Sequence, residues 1–509
     1  MVEQKENSHS HVSRPSIRRS LTSGLVLNLL VNLLLYIGHL IIARRLPRED
    51  YAVFIIVVNF ISLMALFADM GLTLLFVRRF AEAETLAQSG KKDERGELLG
   101  SMLALRILMS IIVTVMVMIL APMLGYSEGT RHLMLIMLIT LFISSRLFVV
   151  RSVGEAFLRG HNKYHLVALF SAIDALVFAS LLFFYSGKIL DLESAVWIYS
   201  FCHVPGFLLL FGFIYRNAKS IGFRLGFNIK LLRSIIIEGI PLIFSTAFLT
   251  IHNNADALLL DKLSTRQEVS AFGAGMRVLT AIIFLPSVFS AIIGPLVTQA
   301  VIKQELVRIR SIIDRSLRIL LIIGFVIALS LSAAPVTVMR LLFGTDKYID
   351  AAPLVTIFSW TFVPIAFALF MTEIAIAEGK LWISTLFMGM IMVLSIICDF
   401  IFIPHYGAFG AGMAKCIAVT GGSVMLFFVS KNLEVLDQKR FALFFLRAIC
   451  CVALSLAVLY ACNIYQINEV IKGAAICIVF VTFSFISKAI SLNEVKSFIT
   501  GFFGKNVAR

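Results

Sequence analysis

The sequence predicts an all-α polytopic membrane protein of about fourteen transmembrane helices. They would form two six-helix bundles related by a parallel pseudo-repeat, followed by two additional C-terminal helices. Three observations lead there. The 509 residues are 59% hydrophobic and only 15% charged, far from soluble globular composition. Apolar stretches of spanning length, roughly 20 residues for a core about 30 Å thick, succeed one another with short connections. Finally, 30 of the 45 Lys and Arg fall in the tails and alternate loops of one side and 10 on the other, the positive-inside bias of a multi-pass protein.

The elements follow in order. Residues 1–20 are a polar cytoplasmic tail. The first span, 21–43, is too long for a signal-peptide apolar region and lacks a small-x-small site, so it is retained. Spans at 51–77, 98–121, 132–157, 164–186 and 192–215 complete an N-terminal bundle over 21–215. A basic cytoplasmic linker, 216–233, has the composition to lie on the inner surface. A C-terminal bundle over 234–430 holds spans at 234–260, 269–300, 317–343, 351–377, 381–403 and 407–429. Two more spans, 440–462 and 470–490, lie within 440–490, and 491–509 is a second cytoplasmic tail. Six spans before the linker and six after it insert in the same orientation, the pattern of parallel repeats. The connections Arg45–Phe54 and Lys262–Phe272 support this, both reading basic–Leu, polar, acidic, small, Phe.

Four helices carry polar stripes. At 100° per residue, Asn28, Asn32, Tyr36 and His39 share an arc of about 80°, as do Asn59, Ser62, Asp69 and Thr73 in the second span. Ser245, His252 and Asp256 share about 40° of the seventh span, and Gly273, Arg277, Thr280 and Ser287 about 80° of the eighth. Lipid cannot satisfy such groups, so these faces point at protein or a water-filled cavity; interhelical hydrogen bonding that glues the bundle is the structural alternative.

Depth sorts the charges. Arg146 and Asp174 fall near mid-membrane, and Arg106, Arg277 and Lys415 about a third of the way in. Each needs a partner or water, since a central charge costs at least ~2.5–3.5 kcal/mol. Arg146 with Asp174 would make a structural pair; otherwise the cations Arg106, Arg146, Arg277 and Lys415 suit an anionic substrate, because guanidinium grips phosphate oxygens bidentately. Asp69, Glu155, Glu238, Asp256, Glu373 and Asp399 lie nearer helix ends, where interfacial pairs are usual. Arg151 and Glu155, at i and i+4, are spaced to bridge. Prolines Pro205, Pro241, Pro286, Pro295 and Pro364 supply bending points.

Composition also excludes. The net charge of +15 is topological, with no basic stripe on a soluble domain, so nucleic acid is not a partner; anionic membrane lipids are. The seven cysteines sit in apolar runs without metal-ligand spacing, and no metal or cofactor is expected. No Gly-x-x-x-x-Gly-Lys-Ser/Thr loop occurs, so energy must come from an ion gradient, the membrane potential or consumption of product. Short outer loops without a carboxylate pair argue against a membrane glycosyltransferase or polymerase, and no enzyme activity is expected.

Several stretches resemble the polysaccharide-exporter branch of the multidrug/oligosaccharidyl-lipid/polysaccharide flippase superfamily. They are Ala43–Phe54 with Ala68–Leu72, Phe157–Tyr164, Gly239–Leu242 with Asn254–Leu260, Leu342–Gly344 with Ala351–Leu354, and Ile403–Gly412. The resemblance covers roughly residues 20–430. It implies a two-lobed transporter of a bacterial cytoplasmic (inner) membrane that opens alternately to either side. Its substrate would be an undecaprenyl-diphosphate-linked oligosaccharide for O-antigen, capsule or exopolysaccharide, with a polysaccharide polymerase and chain-length machinery as downstream partners. The diphosphate would sit on Arg146, Arg277, Arg106 and Lys415. Asn32, His39, Asn59, His252 and Thr280 would line the cavity, and Asp69, Asp174 or Asp256 would bind a coupling cation. The rival reading is a multidrug or small-molecule antiporter of the same superfamily, which would prefer acidic and aromatic groups in its cavity.

Overall fold

A computed structural model describes residues 14–89, 93–147, 149–161, 163–185, 190–221, 225–302, 305–433, 438–465 and 468–490. Among the described residues there is no strand. Helices α1 (Arg14–Arg45) and α2 (Arg48–Asp69) meet at a two-residue turn. Arg44 and Arg45 close the first and Glu49 and Asp50 open the second, each complementing a helix dipole. Then come α3 (Thr73–Gln88), α4 (Arg95–Met123), α5 (Glu128–Met137), α6 (Thr140–Ile143), α7 (Val150–Gly160), α8 (Tyr164–Phe184), α9 (Leu192–Phe201) and α10 (Val204–Ile221). Asp191 caps α9 by accepting the N–H of Ser194 at 3.2 Å, and that hydrogen bonding holds its carboxyl below the usual carboxylate range. The rest of the chain forms α11 (Ile229–Leu263), α12 (Arg266–Ile302), α13 (Leu306–Ala333), α14 (Pro335–Phe343), a 3₁₀ turn over Asp346–Ala351, α15 (Ala352–Ala377), α16 (Leu381–Val429), α17 (Gln438–Ile464) and α18 (Glu469–Ile486).

Every expected span has a helical counterpart; one bend falls at an expected bending point, Pro241, and the other breaks lie where the sequence predicts none. Among the described residues, eleven helices are long and apolar enough to cross a membrane, or up to 12 with the bent pair Ile229–Ile240 and Leu242–Leu263. The shortfall from fourteen has two causes. Expected spans 381–403 and 407–429 are one 49-residue helix, α16, roughly 70 Å along its path and enough for two crossings. It turns at Gly407, where φ is 52°, and the carboxylate of Glu268 accepts the N–H of Ala408 there at 2.7 Å. Expected span 132–157 is instead three pieces, α5, α6 and α7. Span 51–77 is also interrupted, at Met70 and Gly71, both with positive φ.

The chain divides into two compact units: Met1–Ile42 with Met64–Ile240, and Ala43–Leu63 with Pro241–Arg509. The expected boundaries differ, because the first turns of α2 pack inside the second unit. Tyr51 to Val57 are all buried; Ile55 lies against Gly273 of α12, and the rings of Tyr51 and Tyr348 meet edge-on at 5.9 Å. Arg44 donates to the carbonyls of Leu342 (2.7 Å) and Leu341 (3.1 Å), and Arg48 pairs with Asp350. In the second unit α15 packs against α12, α13 and α16, and α17 and α18 pack on α13. Phe325, Phe362, Phe370, Phe441 and Phe480 lie in its core. In the first unit α7 packs against α3, α4 and α10, and α8 against α10.

Candidate functional site

The break in the fourth span builds the most unusual site. After α6 the chain leaves helical geometry at Ser144 (ψ 134°) and regains it at Val150, past Val149 (ψ −105°). Irregular backbone at membrane depth persists only where protein or a water-filled cavity satisfies it. Arg146 stands in this break. Its guanidinium lies 5.2 Å from the ring centre of Phe178 and 4.8 Å from that of Tyr199. His39 of α1 packs on the same two rings, at 5.9 and 5.7 Å. Gly38 beside it admits Phe178, since a Cβ there would fall 2.2 Å from the ring. All three guanidinium nitrogens of Arg146 are buried without a hydrogen-bond partner among the described residues. Cation–π contacts contribute about 2 kcal/mol when desolvated, whereas each hydrogen bond to a charged group is worth ~1.5–3 kcal/mol. The rings therefore hold this cation in place while leaving its five donors for something else.

The expected Arg146–Asp174 pair does not form. Asp174 of α8 binds Arg151 instead, at 2.5 Å, and accepts the N–H of Gly206 at 2.8 Å. Arg151 also meets Glu155 at 3.2 Å, the predicted i, i+4 bridge, and Glu155 reaches Arg159 at 3.2 Å. Arg151, Glu155 and Asp174 are all buried, so each charge is matched inside the protein, as burial requires. His203 enters the same cluster from the turn between α9 and α10, 3.5 Å from Asp174.

Arg106 is engaged at the other break of the first unit. It pairs with Asp69 at 2.9 Å and donates to the carbonyl of Ala68 (2.7 Å) and the hydroxyl of Thr73 (3.0 Å). Asp69 also accepts from Thr73 at 2.9 Å. The arginine thus closes the end of α2, and it is 1% exposed. Asp69 and Asp174 each hold an arginine where the sequence offered them to a coupling cation.

In the second unit Lys415 of α16 meets Asp256 of α11 at 2.6 Å and donates to the carbonyl of His252 at 3.0 Å. Ser395 donates to Asp256 at 3.3 Å. Asp399 faces the same cluster, and both its oxygens are buried without a hydrogen-bond donor. Asp256 and Asp399 are both buried in the protein, seven and eight residues, respectively, from the end of α11 and the turn at Gly407. Lys415 thus neutralises Asp256, with Asp399 as a second acidic group beside the pair. Among the described residues Arg277 has no carboxylate partner; its Nε donates to Tyr51 Oη at 3.4 Å.

The remaining polar residues are partly open. Asn32 and Thr280 are exposed, Asn59 half-buried and His252 buried. Asn59 donates to the Ile55 carbonyl and Thr280 to that of Met276, both at 2.8 Å. Sequence reasoning missed Ser144, Phe178, Tyr199 and His203. His203 stands two residues before Pro205 in an apolar run, a signal available but not used; nothing marks Phe178 among 44 phenylalanines. A separate apolar groove of about 440 Å³ in the second unit is lined by Phe367, Phe427, Phe428, Phe441 and Phe445. Among the described residues no group of His, Cys, Asp and Glu could hold a metal ion.

The family model described as polysaccharide biosynthesis protein matches residues 17–301, and the MatE model matches residues 241–401. No curated protein sequence matches the chain. Among solved structures, lipid II flippase MurJ in an inward closed conformation has a TM-score of 0.71 at 17% identity, covering 91% of this chain and 98% of its own. An inward-facing multidrug resistance MATE family transporter of the MOP superfamily has a TM-score of 0.65 at 15% identity, covering 80% and 96%. The Vibrio cholerae MATE transporter VcmN in its bent form has a TM-score of 0.51 at 13% identity, covering 81% and 98%. At such identities the likeness is one of fold.

Proposed function

The chain belongs to the polysaccharide biosynthesis protein family, and on that premise we propose that it is a multi-pass membrane transporter of the MOP superfamily, a lipid-linked oligosaccharide flippase. Its cargo is an undecaprenyl-diphosphate-linked repeat unit moved across a bacterial cytoplasmic membrane for cell-surface polysaccharide. One observation carries this reading: Arg146 is held between Phe178 and Tyr199 with no hydrogen-bond partner for its guanidinium among the described residues. A diphosphate supplies the acceptors those donors lack, and a guanidinium suits it geometrically. Within the second unit, Arg277, likewise without a carboxylate among the described residues, is that unit's candidate for holding an anion. Arg106 and Lys415 contribute less, because Asp69 and Asp256 already neutralise them. The aromatic-lined groove suits the polyprenyl chain. Asp256 with Asp399 is the pair best placed for coupling to a cation or proton.

The two carboxylates in the second unit favour one alternative, an exporter of small cationic molecules. Substitution separates the two. Arg146→Ala should lower export of lipid-linked glycan about tenfold or more, the loss of one to two charge-assisted hydrogen bonds, while membrane abundance stays normal. Arg146→Lys should rescue only in part, since an ammonium lacks the fork. Normal export by both Arg146→Ala and Arg277→Ala would sink the flippase reading, and drug resistance lost with Asp399→Asn would support the alternative.

A further inference from the structure

Between α10 and α11 the chain leaves helical geometry over residues 225–228 and runs against the first two turns of α4. Gly226 and Asn228 face that helix. The N–H of Gly226 donates to the Gly96 carbonyl at 3.1 Å, and that of Asn228 to Ser101 Oγ at 2.8 Å. The Asn228 side-chain amide donates to Glu97 at 2.7 Å. Its oxygen accepts the N–H groups of Lys230 and Leu231 and so starts α11. The approach is close: a Cβ on Gly100 would fall 2.2 Å from the Gly226 carbonyl oxygen. Exposure alternates along the segment, as it does in an extended chain with one covered side. Leu225, Phe227 and Ile229 point away from α4 and are 61%, 62% and 65% exposed.

We propose that residues 225–229 are an interfacial anchor, with Leu225, Phe227 and Ile229 seated among the anionic lipid headgroups of the inner leaflet. Depth supports this. The segment is hydrogen-bonded to the start of α4, a helix of spanning length over Arg95–Met123, so it lies where that helix enters the bilayer. Non-helical backbone is excluded from lipid-exposed hydrocarbon, which leaves the headgroup layer. Charge supports it independently. Residues 216–233 hold Arg216, Lys219, Arg224, Lys230 and Arg233 and no Asp or Glu, and Arg216, Lys230 and Arg233 are exposed. Basic side chains beside an apolar face are drawn to the negative surface of a cytoplasmic leaflet, the side to which the Lys and Arg bias assigns this linker. The anchor fixes the starts of α4 and α11 at the membrane surface whatever the cargo is. A cytosolic protein covering the same three side chains is the competing occupant, and it would hold them out of contact with lipid.

Tryptophan fluorescence of the full-length protein in lipid vesicles tests this. F227W is placed in a background of W197F, W360F and W382F, so that one indole reports. The vesicles are phosphatidylcholine mixed with phosphatidylglycerol, with bromine carried on one lipid at a time. Lipid brominated near the headgroup end of its chains should quench the indole about twofold more than lipid brominated near the chain ends, as insertion to ~5–10 Å requires. Brominated phosphatidylglycerol should outcompete brominated phosphatidylcholine about fivefold, the effect of one basic residue near an anionic surface. K230Q/R233Q should lower that preference while the shallow quenching persists. Quenching by acrylamide from the water without quenching by lipid would put Phe227 in solvent. Protection from both would mean that protein covers it. Either result overturns the proposal, as does quenching by chain-end bromine alone, or quenching without preference between the two headgroups. Should F227W not accumulate, L225W and I229W report on the same face and decide in the same way.

Discussion

Arg151 shows how a buried charge is held in this protein and what removing its partner does. It contacts Asp174 at 2.5 Å and Glu155 at 3.2 Å with 1% exposure, so Arg151→Met leaves two carboxylates buried with less neutralisation. Breaking such a pair costs about 3–5 kcal/mol, whereas replacing both partners is far milder. Arg151→Met should therefore lower thermal stability and membrane abundance sharply. Adding Asp174→Asn should recover part of the loss, a coupling that a double-mutant cycle measures. Equal stability of wild type and Arg151→Met in detergent would show that the cluster is not structural. The Arg151–Glu155 bridge was legible because both residues lie on one unbroken helix, where i, i+4 spacing suffices. The partner of Asp174 was not. Counting residues along a continuous span pairs Arg146 with Asp174, but the break after Ile143 lets Arg151 take the carboxylate and turns Arg146 toward Phe178 and Tyr199.

Spans were easy to read as elements, and their interruptions were not. Hydropathy registers composition, and the stretches around Met70–Gly71, Ser144–Leu147 and Cys202–His203 lie within apolar runs while the backbone leaves its helix. What marks them is local: two positive φ values at Met70 and Gly71, paired serines ahead of Arg146, and a proline following His203. Each freed backbone end is met by a side chain, Arg106 on Ala68 or Ser144 on Arg146, and those contacts depend on tertiary structure that no single stretch encodes. Gly407 in α16 is the sharpest test at this scale. Its φ of 52° with ψ of −130° is a region open to glycine almost alone, and a Cβ would fall 2.6 Å from the Glu268 carboxylate. Gly407→Ala should destabilise the protein by about 1–3 kcal/mol, seen as a lower melting temperature in detergent. Gly421→Ala, on a regular turn of the same helix, should have a smaller effect, and the reverse order would refute the turn's role.

The Lys and Arg bias makes a prediction for the molecule as a whole. Reporter fusions after Leu190 and Thr345 should read as external, and those after Gly226 and Arg509 as cytoplasmic; a cytoplasmic signal after Leu190 would reverse the assigned orientation. Transport sets a stricter requirement. A polar path open to both sides at once would leak ions, so the stripes of the first, second, seventh and eighth spans should be wetted from one side at a time. Cysteines placed at Asn32, Asn59, His252 and Thr280, in a background without the native thiols, should react with a membrane-impermeant reagent. Their reactivity from outside should change when lipid-linked substrate accumulates, because a ligand moves a conformational equilibrium only by binding the two states unequally. Substitutions at Leu30 and Ile282, apolar positions off those stripes, should stay unreactive in both conditions. Asn32 and Thr280 are exposed in the structure and His252 is buried, so His252 is the position whose labelling should depend most on substrate. Reactivity indifferent to substrate at all four positions would mean that the polar stripes only bind the helices to one another, and that the substrate crosses elsewhere.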